Sequence, residues 1–227
     1  ASQQTLIKSS NGGNTMIGDI KFLDINKDNV INTGDNTVDK PGDRKIIGNS
    51  TPRYTFGALF DFDWNGFFFS AFFQGVGKQD WWPGAEADAF WGPYNRVPAE
   101  MVSEIWSESN PNTYFPRLRG YIAQGTGRSL NVVQTKYLLN AAYIRLKNVQ
   151  LGYRLPNKWI SAIKMTQARI YISADNIWTY SPMYKITKNL DVENIQGSDR
   201  VLTNGTNGNG NNYPMLKGWT VGLNVGF

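Results

Sequence analysis

Residues Asp24 to Asp35, reading Asp-Ile-Asn-Lys-Asp-Asn-Val-Ile-Asn-Thr-Gly-Asp, place oxygen-bearing side chains at the first, third, fifth, ninth and twelfth positions of the run. They are Asp24, Asn26, Asp28, Asn32 and Asp35. Hard cations are held by several oxygens on a flexible loop, and this is the spacing with which an EF-hand wraps calcium. Val30, in the seventh place, would add a backbone carbonyl, and Ile31 in the eighth is the apolar residue that anchors such a loop to a core. Asn29 stands where the turn glycine usually sits, which Asn tolerates because it visits the left-handed region. Asp35 replaces the longer bidentate Glu. Three carboxylates in so short a run repel one another without a cation. The sequence therefore predicts a structural calcium loop; the alternative is an Asp/Asn-rich turn with no metal.

Other chemistries find little support. The chain has no Cys and no His, which removes thiolate sites, disulfides, the commonest general base and the usual zinc ligands. Carboxylate catalysis has only scattered candidates such as Asp61 and Asp63, which share one face of one strand. No catalytic residue is expected, and an enzyme is disfavoured. The net charge of +5 comes from Lys and Arg scattered singly, without the basic block or aromatic platform of a nucleic-acid surface. Trp81, Trp82, Trp91 and Tyr94 lie in a punctuated stretch, where they either stack on sugar rings or pack the loop onto itself.

The elements that position these residues read as strands. Tyr54 to Trp64 alternates strictly, with Tyr54, Phe56, Ala58, Phe60, Phe62 and Trp64 on one side and Thr55, Gly57, Leu59, Asp61 and Asp63 on the other. Asn65-Gly66 is a two-residue hairpin signal, and Phe67 to Gly75 returns. Tyr137 to Leu155, Gln167 to Trp178 and Tyr213 to Phe227 add three more strands, the last with Trp219, Val221, Leu223, Val225 and Phe227 on one face. Gly18 to Asp24 reads as a short strand, and Ala99 to Trp106 as a short amphipathic helix. Arg145 and Lys147 fall on the apolar face of their strand, which is tolerable only if that end projects above a membrane. No apolar run approaches the roughly 20 residues of a spanning helix, but a barrel strand alternates and gives a weak hydropathy signal. Connections alternate tight (Asn65, Pro156) and long (Val76, Tyr180), the up-and-down pattern of an outer-membrane barrel. In that reading Phe56, Phe60, Phe69, Phe73, Val221 and Leu223 face lipid, and Thr55, Asp61, Gln74, Thr220 and Asn224 the interior.

The motifs GDIKFLDINKDNVI (Gly18 to Ile31), IIGNSTPRYTFG (Ile46 to Gly57), FFFSAFFQGVGKQDWW (Phe67 to Trp82) and NPNTYFPRL (Asn110 to Leu118), followed by AAYIRLKNVQLGYRLP (Ala141 to Pro156), RIYISADNIWTYS (Arg169 to Ser181) and the terminal GLNVGF, resemble the C-terminal part of SusC/RagA-type TonB-linked outer-membrane transporters. The resemblance covers nearly the whole chain. It implies the last antiparallel strands of a roughly 22-stranded plugged transmembrane barrel, in the bacterial cell outer membrane. It further implies import of glycan or peptide nutrients powered by TonB through a plug outside this chain, with a SusD-like surface lipoprotein as lid. Calcium would then brace an external loop.

The expected division is an extracellular loop with the calcium motif (1–52), a barrel hairpin (53–76), a long extracellular loop (77–135), barrel strands with a periplasmic turn (136–178), an extracellular loop (179–212) and the C-terminal barrel strand (213–227). Five strands leave two open edges, so the segment is expected to need the remainder of the barrel in order to fold. The competing reading is a soluble calcium-stabilised β-sandwich that binds carbohydrate through exposed Trp.

Overall fold

The computed structural model describes residues 3–4, 17–83, 90, 99–118, 132–195 and 213–227. The chain separates into two compact units. One comprises Ala1–Ser50, Asp80–Leu139 and Glu193–Asn212, and the other Thr51–Gln79, Asn140–Val192 and Tyr213–Phe227.

The second unit is built on one antiparallel sheet in sequential order. Its strands are β1 (Arg53–Trp64), β2 (Phe67–Lys78), β3 (Tyr143–Arg154), β4 (Gln167–Tyr180) and β5 (Gly218–Gly226). The first hairpin turns at Asn65 and Gly66, both with positive φ (52° and 87°), as a two-residue turn matched to strand twist requires. It pairs Trp64 with Phe67, Phe62 with Phe69 and Phe60 with Ala71. Between β3 and β4 the chain makes a short helix, Asn157–Ile160, and a 3-10 turn that ends at Lys164 in the left-handed region.

Three strand expectations change. The run from Tyr137 is interrupted: Leu139–Asn140 joins Asp80–Trp81 in a separate two-stranded sheet. There the Asn140 side chain accepts from the Ala142 N–H, a turn that breaks the extended run. The last strand begins at Gly218 rather than Tyr213, because the Met215 N–H is taken by the Asp191 carboxylate instead of a ladder partner. Gly18 to Asp24 is irregular; the Gly18 carbonyl accepts from the Arg117 N–H, and Gly18 itself has φ 89°. The expected helix at Ala99 is a 3-10 segment, Ala99–Glu104.

The two faces of the sheet differ as the alternation predicts. On one, Phe56, Phe60, Phe62, Trp64, Phe67, Phe69, Leu151, Ile170, Ile172, Trp219, Val221 and Leu223 are all exposed, Phe60 by 58% and Val221 by 75%. Phe73 is half-buried and meets Phe60 edge to face at 5.9 Å. Each such side chain gains about 1.5–3 kcal/mol on leaving water. A face carrying a dozen of them is shaped for an apolar medium, not for solvent. The opposite face carries Thr55, Asp61, Ser70, Gln74, Gln150, Ser173, Thr220 and Asn224, which the register places together. Its aromatics lie over glycines: a Cβ on Gly152 would fall 2.3 Å from the Phe68 ring, and one on Gly222 would fall 2.1 Å from Tyr171. The rings fill space that only glycine leaves open.

One charge expectation is overturned by a β-bulge. Phe72 pairs with Asn148 and Phe73 with Leu146, so Lys147 is the extra residue on β3. An inserted residue reverses which side of the strand faces where. Arg145 therefore pairs with Gln74 and Thr179 on the polar face, and Leu146 and Ile144 take the apolar one. The strand needs no charge among the outward aromatics at Arg145.

No helix among the described residues is long and apolar enough to cross a membrane, which says nothing of a barrel. If the exposed face meets lipid, Phe60→Arg should cost roughly 2–4 kcal/mol, the price of a cation near the bilayer midplane. Thr220→Arg on the other face should cost far less. Equilibrium unfolding of the full protein in lipid vesicles measures both, and equal losses would contradict the assignment of the faces.

Candidate metal loop and aromatic cluster

The Asp24 to Asp35 segment is held by its own side-chain oxygens. Asp24 Oδ1 accepts from the Lys27 N–H at 2.6 Å and Oδ2 from the Asn29 N–H at 2.8 Å. Asn26 Oδ1 accepts from Asp28 N–H, and Asp28 Oδ1 from Val30 N–H. Asn29, in the sixth place, has φ 67°, the left-handed conformation for which calcium loops use glycine. Ile31 is 2% exposed and anchors the loop in its unit. Val30 and Ile31 form a two-residue strand beside Gln3–Gln4. The oxygens of Asp24, Asn26 and Asp28 are thus each engaged by a backbone N–H of the turn.

Asp35 forms an exposed ion pair with Lys40 at 3.2 Å, an interaction worth about 0–1 kcal/mol. Asn32 turns its Oδ1 to the Gly34 N–H. The carboxylate that reaches back into the loop is Asp43, which accepts from the N–H groups of Ile25 at 2.6 Å and Asn32 at 2.8 Å. Burial pushes the Asp43 carboxyl up, but the backbone donors of Asn32, Ile25 and Asn26 outweigh it and hold the group below its ordinary value. Asp43 is outside the twelve-residue motif, and no spacing rule points to it. Among the described residues no three acidic side chains converge closely enough to hold an ion as they stand.

Trp81 is not available as a stacking platform. It is 2% exposed and meets Phe90 edge to face at 6.3 Å, and Phe90 in turn packs on Phe115 and Tyr137. The Tyr137 hydroxyl donates to the Tyr114 carbonyl at 2.9 Å, and the Tyr114 hydroxyl to the Lys136 carbonyl at 3.1 Å. Burial pushes the Tyr114 phenol up to about 12. Trp82 is half-buried, and Trp91 and Tyr94 lie outside the described residues. A cavity of about 940 Å³ in the same unit is lined by Ile25 and Asp43 of the loop, with Ile47, Trp106, Phe115 and Lys136. Order in the loop therefore shapes one wall of that cavity. Of the two carboxylates considered for hydrolysis, Asp63 is taken by an ion pair with Arg154.

No family model matches the chain. Over 206 residues, 91% of its length, the chain is 29% identical to TonB-dependent receptor P3 of Formosa agariphila, and it is 25% identical over 213 residues to TonB-dependent receptor P26 of the same organism. The chain spans about a fifth of these relatives, 19% and 20% of their lengths. Its fold matches solved structures of the RagAB peptide importer, with a TM-score of 0.51 in the open-open state and 0.53 in the closed-closed state. These cover 84% of the chain and 19% of the importer chain, at 22% and 24% identity. The resemblance that the motifs carry is thus met in sequence by TonB-dependent receptors and in fold by a solved importer, and the barrel strands are not closed within this chain.

The depressed Asp43 value fixes the sign of a pH effect. A carboxylate with a lowered folded-state pKa contributes stability above its unfolded value of about 3.9 and loses it as pH falls through the folded value. Protection of the 24–43 segment from added protease should hold at neutral pH and fail in that acid window. Asp43→Asn should weaken protection at neutral pH and flatten the pH dependence. A variant as protected as the parent at every pH would contradict the role given to Asp43.

Proposed function

We propose that this chain is the C-terminal portion of a TonB-dependent outer-membrane importer of glycan or peptide nutrients, working with a SusD-like surface lipoprotein as lid and with calcium bracing an external loop. The observation that carries the reading is the two-faced sheet. A continuous apolar face of exposed aromatic and aliphatic residues backs a face that is mostly small and polar, with Leu59, Phe68, Phe72 and Tyr171 set among its polar groups, which is the division a lipid-facing and lumen-facing wall requires. The TonB-dependent receptors similar to the chain, and the importer that shares its fold, support transport rather than catalysis. A soluble sandwich would bury the aromatic face under a second sheet, whereas those side chains stand exposed.

For calcium, the donors are of the right kind, hard oxygens from Asp24, Asn26 and Asp28, a carbonyl at Val30 and the Asp43 carboxylate, and they would have to draw together round the ion, giving up N–H groups they now hold. Bound there, the ion would supply charge neutralisation and a fixed loop shape; the residues of the chain do the positioning. Asp35, paired with Lys40, is the weakest of the expected ligands.

In cells carrying the full transporter, loss of TonB should abolish growth on the imported nutrient, and the surface lipoprotein should copurify in detergent. Asp28→Ala should remove one calcium per chain by elemental analysis and expose the loop to protease, while heat-modifiable migration of the barrel is unchanged. Import that continues without TonB would overturn the transport reading; absence of calcium at millimolar supply would overturn the metal alone.

A further inference from the structure

The bulge that turns Arg145 onto the polar face also gives it a partner from the connection between β4 and β5. Arg145 and Asp191 form an ion pair at 2.5 Å with side chains only 4% and 5% exposed. The Arg145 Nε donates to Thr179 Oγ1 on β4 at 2.8 Å. The second Asp191 oxygen accepts from the Met215 N–H at 2.8 Å, just ahead of β5. The Tyr184 phenol hydrogen-bonds Arg145 from the same connection. One carboxylate therefore ties β3 to the approach of β5, and through Arg145 to β4. The connection around it is packed, not free: Met183, Leu190 and Val192 are at most 2% exposed, and Ser181 Oγ caps the Pro182–Lys185 turn.

We propose that Arg145 and Asp191 are positioning residues that lock the 181–192 connection inward against the lumen face of the sheet, at the end of the strands where the long loops leave. Resting on the barrel reading above, the proposal makes this connection part of the wall that an entering solute meets at the mouth. A surface loop would need no buried ion pair. A loop folded over the lumen face needs one, because Arg145 enters that face unneutralised from β3 and is costly there until a carboxylate reaches it. Asp191 is the group that arrives.

The full transporter tests this in intact cells; this chain holds no Cys of its own, and any Cys elsewhere in the protein is first replaced by Ser so that the introduced thiol is read alone. Val192→Cys reports the disposition of the connection through its rate of labelling by a membrane-impermeant maleimide added outside. In the otherwise unchanged transporter the thiol should be protected. Adding Asp191→Asn or Arg145→Met should raise the labelling rate severalfold, and the two together should raise it no further, since either alone breaks the same contact. Thr179→Val, which removes an Arg145 acceptor without uncovering a charge, should give a smaller rise and serves if the charge variants fail to reach the membrane. Heat-modifiable migration should persist in every labelled variant, which separates release of the connection from loss of the barrel. A protected thiol in all variants, additive effects, or free labelling before any change at 145 or 191 would overturn the lock. A transporter that fractionates away from the outer membrane would instead overturn the barrel reading.

Discussion

Backbone hydrogen bonding in hydrocarbon is the constraint on which the rest of this sheet depends. Every N–H and C=O left unpaired there costs several kcal/mol, so a sheet that crosses a bilayer must close. Four strand pairings are complete within the chain, from Trp64 opposite Phe67 to Ala174 opposite Trp219. The outer edges of β1 and β5 are not paired within the five-stranded sheet. Their partners must come from further strands, in agreement with the long relatives of which the chain spans a fifth.

Strand length and side-chain placement follow from the same constraint. Strands β1, β2 and β3 have 12 residues each and β4 has 14. A membrane strand needs about 9–11 residues when tilted by roughly 45°. The strands exceed that length, and the polar contacts gather toward their ends: Asp63 with Arg154 beside the tight turn, Arg145 with Asp191 beside the long connections. Between them the lumen face uses Asn148 with Asp175, Phe68 over Gly152 and Tyr171 over Gly222. A buried ion pair is weak evidence for stability, because desolvation consumes most of its attraction. Its value here is geometric, since one carboxylate fixes three parts of the chain at once.

Much of this was legible in the sequence, for a physical reason. Period-two alternation is a local property: Trp219 to Val225 carries it without interruption and Phe56 to Trp64 with one apolar exception at Leu59, while Phe67 to Phe73, which has Phe on both sides, takes its faces from its hairpin partner. The Asn65-Gly66 turn follows from its demand for positive φ. The turn at Asp24 to Asp28 was legible in the Asp/Asn spacing, where each oxygen serves a donor two to five residues away. The part played by Asp43 was not, because it reaches the turn across the excursion that Asp35 and Lys40 pin together. Strand ends failed wherever a side chain competed with the ladder, as Asn140 does for Ala142 and Asp191 for Met215. Nothing in a local pattern announces a competitor 24 residues away.

The bulge at Lys147 is the instructive failure, because the sequence did contain its trace. Strict alternation puts Arg145 and Lys147 on the same side as Leu151 and Tyr153, and two cations among lipid-facing residues would each cost roughly 2–4 kcal/mol near the midplane. One remedy is to lift that end of the strand out of the membrane. The other is to insert a residue, which costs one unpaired position and reverses the parity of everything beyond it. The structure takes the second: Leu146 continues the apolar row opposite Phe73 and Trp178, and Arg145 turns to Gln74 and Thr179. With the insertion, the apolar residues Ile144 and Leu146 fall into line with Val149 and Leu151, whereas strict alternation would have sent both into the lumen. In this strand, then, one inserted residue moves Arg145 to the polar face and Ile144 and Leu146 to the apolar one together, where lifting the strand would relieve only the charge.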